Sequence, residues 1–306
     1  MKISIIIPIY NAEKSVTKML DSLKKQTLMD FEVIMIDDGS TDQSPTICDN
    51  YQFKDKRFKA IHKKNEGVSI ARQIGIEHAC GEYVIHADAD DWVEPNMLES
   101  LYDEATKTNA DIVFCDFFVN DSEKEFYRNQ KPNSNVPINV LHALFQQLHG
   151  SCWNKLVKRA CYSKYGCHFP KGIDYCEDLL FWVQLLQHKE IKIAYLNKAF
   201  YHYVMNTSSI THHITRKTYN TRYDFYKLLC QYLPQQGFER EKRNVRLNIL
   251  VEGYMNGIVT NSEAWKLLWK KNLRNALLER KSIRWRIGYL CLACGLFSIS
   301  KRLFRF

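Results

Sequence analysis

Asp88 and Asp90 stand two residues apart in Asp88-Ala89-Asp90-Asp91-Trp92, directly after the apolar run 83–87. Held at one turn, two such carboxylates can aim at a single hard cation, and an all-oxygen donor set favours Mg²⁺ or Mn²⁺ over Zn²⁺. Those ions keep waters and bridge to phosphate oxygens, so a substrate diphosphate would complete the shell. The alternative is a solvated acidic turn ahead of the helix that opens at Pro95. Asp37 and Asp38 have the same placement after the run 31–36, with an Asx turn at Gly39 as their alternative. A third acidic pair, Glu177-Asp178, precedes Leu179-Leu180-Phe181-Trp182. There a carboxylate either serves as a general base or complements the positive end of a helix.

The elements that must position these acids are legible over the first 120 residues. Residues 3–9 form a continuous apolar, β-branched run, as expected of a strand covered on both faces. Val16, Met19, Leu20 and Leu23 then recur at helical spacing. Strands are expected at 31–36, 58–61, 83–87 and 112–119, with helices near 68–79 and after Pro95. This alternation predicts an α/β fold with a mostly parallel sheet flanked by helices. Loops leaving the carboxyl ends of parallel strands share one edge, where ligands of open sheets bind. Four such loops carry Pro8 to Asn11, Asp37 to Asp42, Lys63 to Gly67 and Asp88 to Asp91. Beyond Asn120 the expectations are a polar loop at 122–136, helices at 138–148 and 179–187, and strands at 151–158, 191–196 and 199–203. From residue 215 the chain reads as helical and basic.

Composition narrows the classes further. At 306 residues, 45% hydrophobic and 25% charged, the chain is globular rather than disordered or fibrous. The net charge of +9 is local: residues 264–306 hold eleven Lys and Arg against the single acid Glu279. The body is therefore near neutral, which argues against nucleic acid as a partner. Ten scattered cysteines show no zinc spacing, and no run reaches the ~18–20 apolar residues of a spanning helix. A reducing cytosol is the expected compartment.

Four segments occur in order: Ile5-Ile6-Ile7-Pro8-Ile9-Tyr10-Asn11, Ile36-Asp37-Asp38-Gly39-Ser40-Thr41-Asp42, Asn65-Glu66-Gly67 with Ala71-Arg72, and Asp88-Ala89-Asp90-Asp91. Together they resemble the family 2 glycosyltransferases of the GT-A, Rossmann-like fold. The resemblance is strong over residues 3 to about 120 and looser through Glu177-Asp178 and Ser208-Ser209-Ile210. It implies a domain at 1–214, with a nucleotide-binding half at 1–120 and an acceptor-side half at 121–214. Main chain at Pro8 and Tyr10 would line the nucleotide pocket, and Asp38 would accept a hydrogen bond from a uracil N–H. Asn65, Gly67 and Arg72 would close the base and ribose side. Asp90 would ligate Mn²⁺ or Mg²⁺ on the diphosphate, and Asp88 would contact the ribose or a metal-bound water. Asp178, beside Glu177, would take the proton from the acceptor hydroxyl in an inverting transfer from a UDP-sugar. The acceptor would be a saccharide or lipid-linked sugar of a cell-surface polysaccharide.

Other readings compete with that one. A dinucleotide dehydrogenase is disfavoured because Pro8-Ile9-Tyr10-Asn11-Ala12-Glu13 lacks the glycines that admit a pyrophosphate. A phosphatase lacks a marked nucleophile, whereas a non-catalytic sugar-nucleotide or membrane-binding protein keeping the fold remains the alternative. Trp153-Asn154-Lys155 resembles an acceptor-side segment, with Trp153 as plain core its alternative; His202 and His212-His213 read as structural. Val204 stands where the family often carries an arginine, and the absence of Gln-x-x-Arg-Trp after the acid pair argues against a processive synthase. The last helical region, 215–306, ends in a basic and apolar tail, 280–306. It is expected either to lie peripherally on an anionic membrane through Trp285, Tyr289, Leu290, Leu292 and Phe297, or to pack as a last helix.

Overall fold

The computed structural model describes residues 1–121, 124–205, 214–271, 273–279 and 282–304. Ser208-Ser209-Ile210, His212-His213, Arg280, Lys281 and Arg305 lie outside them. The chain packs as two units, Met1–Asn206 and Thr207–Phe306.

In the first unit, β1 (Ile3–Ile9), β2 (Phe31–Asp37), β3 (Phe58–His62) and β4 (Tyr83–His86) form a parallel array. The order is β3-β2-β1-β4, as right-handed crossovers through helices require. The crossovers are α1 (Val16–Lys24), α2 (Ser44–Lys54) and α3 (Val68–His78). Helix α1 buries Val16, Met19, Leu20 and Leu23, the stripe that its spacing predicts. Beyond β4 the sheet continues through β5 (Trp92–Val93), β6 (Ile112–Asn120), β7 (Glu125–Arg128), β8 (Lys155–Lys158) and β9 (Ile193–Val204). Strand β8 pairs antiparallel with both β4 and β6, and β6 pairs parallel with β9. Helices α4 (Met97–Thr108), α5 (Pro137–Leu144), α6 (Ala160–Tyr165) and α7 (Glu177–Leu185) complete the unit.

Three expectations change. The two short strands at 191–196 and 199–203 are one strand, β9, whose ladder with β6 slips between Cys115 and Phe117. That irregularity lets one strand run on where the polar Asn197-Lys198 step suggested a break. The polar stretch 122–136 contains β7, which pairs with β6 but exposes all four residues and so shows no burial pattern. Strand β8 is confined to Lys155–Lys158, so Trp153 packs in the core from the turn before it.

Apolar patterning gave no sign of the buried carboxylate of Glu32 inside β2. Ser4 Oγ donates to it at 2.6 Å, Lys59 Nζ at 2.7 Å and the Cys80 N–H at 2.8 Å. Burial opposes its charge, but the Lys59, Ser4 and Cys80 donors prevail and hold its pKa below the usual value. A depressed carboxylate contributes stability above its unfolded pKa and loses it as pH falls through the folded one. Glu32→Gln should therefore cost about 1–3 kcal/mol in urea unfolding at neutral pH. That deficit should shrink as the pH drops below about 4, near the unfolded glutamate value. A deficit independent of pH would show that the charge is not what these donors hold.

The second unit is helical: α8 (Arg216–Tyr232), α9 (Glu239–Met255), α10 (Asn261–Lys271), α11 (Leu273–Glu279), α12 (Ile283–Ala293) and α13 (Phe297–Phe304). Thr215 caps α8, accepting from the Thr218 N–H in a reciprocal capping box. Tyr289, Leu292 and Phe304 join Leu247, Tyr254 and Leu268 in one core. The expectation that Tyr289 and Leu292 enter lipid is thereby corrected, and Trp285 and Phe297 also lean on that core. They are consumed by packing because α12 needs one face to hold it to α10, α11 and α13. Among the described residues no helix is long and apolar enough to cross a membrane.

Candidate active site

Parallel pairing brings the ends of β1 to β4 to one edge, and the loops there fall into two linked clusters. The first surrounds Asp38. Asp37, at the end of β2, turns the chain by accepting the Ser40 N–H at 3.0 Å and pairs with His62 Nδ1 at 2.9 Å. It is thus committed to structure. Gly39 follows at φ 72°, where a Cβ would lie 2.7 Å from the Asn65 nitrogen, so only glycine lets the two loops touch. Across that contact the Asp38 carboxylate accepts the Glu66 N–H at 3.0 Å, the Gly67 N–H at 2.8 Å and the Lys63 ammonium. Gly67 has φ 94°, and a Cβ would strike the Asp174 carboxylate. Asp174 in turn accepts from the Ser69 N–H at 3.3 Å, which draws the loop before α7 onto the start of α3. Pro8 is half-buried and Tyr10 is exposed at the same edge.

The second cluster is built on Arg72, in the middle of α3 and only 4% exposed. Its Nη2 donates to Asp88 at 2.9 Å, while Nη1 stands 3.7 Å from Glu177 and Nε 3.4 Å from Asp178. Burial works against its charge, yet Asp178, Asp88 and Glu177 together raise its pKa. Desolvation raises Asp88, Arg72 pulls it back, and the charges of Asp178 and Asp90 raise it again, to about 6. Glu177 is pushed up by burial to about 7 against the same arginine. Asp178 accepts the Cys152 N–H at 2.9 Å through one oxygen. Its other oxygen is buried without a hydrogen bond. That oxygen faces Arg72 Nε, and a buried carboxylate oxygen with no hydrogen bond calls for an explanation, of which a catalytic role is one.

Asp90 differs from its neighbours. It is exposed, although partial desolvation of its carboxylate still raises its pKa. Asp91, next in sequence, is fully buried and accepts from Tyr201 Oη at 2.7 Å and the Val204 N–H at 2.8 Å. The Tyr201 hydroxyl also accepts the Asp88 N–H at 2.9 Å, so β9 fixes the acidic turn from behind. No group of three acidic, His or Cys side chains capable of holding a metal exists among the described residues. Two carboxylates with room for phosphate and water are nonetheless what Mg²⁺ or Mn²⁺ ordinarily takes from a protein. Asp88 and Asp90 are carboxylates of that kind, with one Asp88 oxygen already accepting from Arg72.

The structure therefore brings Arg72, Asp88, Glu177 and Asp178 together, and gathers Asp38, Asn65 and Gly67 separately. Arg72 lies among the carboxylates, bonded to Asp88. Sequence reasoning missed Asp91, Tyr201 and Asp174. It also missed that Lys155, buried, donates to the carbonyls of His149 and Ser151 at 2.9 and 2.7 Å, bracing the turn that presents the Cys152 N–H. Only the polarity of the 172–178 loop hinted at Asp174. Beside this turn Trp153 stacks on Tyr201 at 4.3 Å, and Tyr203 and Phe117 line a cavity of about 290 Å³ with Arg128, Gln147 and His149.

Glycosyl transferase family 2 matches residues 4–172, and the chain belongs to that family. The putative glycosyltransferase EpsH of Bacillus subtilis is 30% identical over 301 residues, covering 94% of this chain and 83% of EpsH. In three dimensions the chain is similar to S. aureus TarS 1–349, with TM-score 0.66 and 19% identity over 99% of this chain and 90% of that one. TarS has been crystallised with UDP-GlcNAc and with UDP. The mannosyltransferase PcManGT of Pyrobaculum calidifontis, in complex with GDP-Man and Mn²⁺, is similar at TM-score 0.51 and 16% identity, covering 99% of this chain and 87% of PcManGT. The fold is that of the GT-A glycosyltransferases.

Proposed function

We propose that this chain is an inverting, non-processive glycosyltransferase. It would move a sugar from a UDP-sugar to a hydroxyl of a saccharide or lipid-linked acceptor, in cell-surface polysaccharide synthesis. The carrying observation is the convergence of Asp88, Glu177 and Asp178 on Arg72, with the exposed Asp90 in the same acidic turn as Asp88. The catalytic domain is taken as residues 1–214, with the nucleotide on the 1–120 side and the acceptor on the 121–214 side.

Asp38 supports uracil as the base. A carboxylate has about four acceptor positions. Lys63, Glu66 and Gly67 fill three of them, which leaves one for a base N–H. Asp90 and Asp88 would hold Mn²⁺ or Mg²⁺, which when bound neutralises charge on the departing diphosphate. Asp178, held by the Cys152 N–H, has a second oxygen with no hydrogen bond, 3.4 Å from Arg72 Nε, and on this reading that oxygen takes the proton of the acceptor hydroxyl. With one base and direct displacement the anomeric configuration inverts. The cavity beside Tyr203 offers ring faces for a pyranose and Arg128 and Gln147 for its oxygens, so it suits the acceptor.

Thermal shift with UDP, GDP and a panel of nucleotide sugars, with and without Mn²⁺, tests this reading. UDP should stabilise more than GDP, and Mn²⁺ should strengthen the effect. At a hundred times the dissociation constant the gain is ~2.7 kcal/mol. Asp90→Asn should remove the metal dependence. Equal affinity for UDP with and without metal, in both proteins, would remove the cation from the account.

A further inference from the structure

The face of α12 that packing leaves over is apolar where solvent would favour polar residues. Gly288, Tyr289, Leu292 and Ala293 are buried against the second unit's core. On the opposite side Ile283, Ile287 and Leu290 are exposed, at 71%, 45% and 45%. With Cys294 they repeat at i, i+4, i+7 and i+11, a stripe about 60° wide at 100° per residue. Arg284 and Arg286 border it on either side. The turn at Cys294-Gly295 leads through Leu296 into α13; Leu296 and Ile299 are each 49% exposed and Arg302 is exposed too. Arg284 Nη2 donates to the Arg302 carbonyl at 3.2 Å, which ties the basic ends of the two helices together. Residues 280–306 contain seven Lys and Arg and no acid.

We propose that α12 and α13 dock in the plane of an anionic lipid bilayer. The aliphatic stripe would enter the headgroup boundary and the flanking arginines would lie on lipid phosphates. An apolar stripe bordered by cations is the arrangement by which interfacial helices bind, through buried apolar area plus attraction to anionic lipid. The charge selects this occupant. A second copy docked through the same stripe would bring its Arg284 and Arg286 against this copy's, and like charges across a contact oppose it. Nucleic acid would use the cations but leave the isoleucines and leucines without partners, because these residues offer no ring on which a base can stack. The surface differs from the lipid-facing set expected from sequence: Leu290 alone is common to both. This docking is independent of the donor and base assignments.

Flotation of the full chain with phosphatidylcholine vesicles, with and without phosphatidylglycerol, provides the test. Wild type should float with the anionic vesicles at low salt, lose binding as salt rises, and stay unbound with phosphatidylcholine alone. The triple variant Ile283→Gln, Ile287→Gln, Leu290→Gln should bind at least tenfold more weakly. Leu296→Gln with Ile299→Gln should weaken it in the same direction, and provides a second reading should the triple variant fold poorly by circular dichroism. Arg284→Gln and Arg286→Gln should each cost roughly fivefold at low salt. Stripe variants that float as well as wild type would overturn the proposal. So would a wild type that ignores lipid charge or never floats, or a dimer in sedimentation that the stripe substitutions abolish.

Discussion

Asp178→Asn should lower sugar transfer by ~10²–10⁴-fold while UDP binding stays within a factor of two or so of wild type, the range expected when a positioned general base is removed. Asparagine keeps the shape and can still accept the Cys152 N–H that orients the side chain. It cannot take a proton. The comparison of turnover with UDP affinity separates this role from a purely structural one, since Asp178 also lies in the first turn of α7, where a carboxylate complements the helix dipole. Loss of turnover and UDP binding together, or near-normal turnover, would return Asp178 to a structural role.

The second large effect concerns Arg72. Its guanidinium is the cation that Asp88, Glu177 and Asp178 share, and it is almost wholly buried. Arg72→Leu would leave three crowded carboxylates with no counter-charge. Removing one partner of a buried ion pair costs ~3–5 kcal/mol. At roughly 2–4 °C per kcal/mol for a domain of this size, Tm should fall on the order of 10 °C. Part of that loss should return in the double variant Arg72→Leu, Glu177→Gln, which removes one of the stranded charges. An unchanged Tm in the single variant would mean that the carboxylates are satisfied without the arginine.

Much of this site could be read before the fold was known, for a specific physical reason. Asp38, Asp88 and Asp90 follow buried strands whose apolar runs are unmistakable, and parallel topology alone delivers their loops to one edge. Arg72 was visible as a residue of α3, but its partners were not. Its link to Glu177 and Asp178 spans about a hundred residues, and no local periodicity encodes a contact of that range. Tyr201 and Asp91 stayed hidden because a tyrosine in an apolar strand looks like core, while the last acid of an acidic run looks solvated. In the fold each satisfies the other. The tail shows the converse failure: hydrophobicity marked Tyr289 and Leu292 correctly as apolar, but only packing decides which face of α12 is left over.

The central claim is a direct displacement with one base, and its stereochemistry is observable even with water as acceptor. Proton NMR should follow the sugar released from the α-linked UDP-sugar that stabilises the protein most, at times short against mutarotation. The account predicts that the β-anomer appears first, with its formation abolished in Asp178→Asn. Initial release of the α-anomer would contradict it.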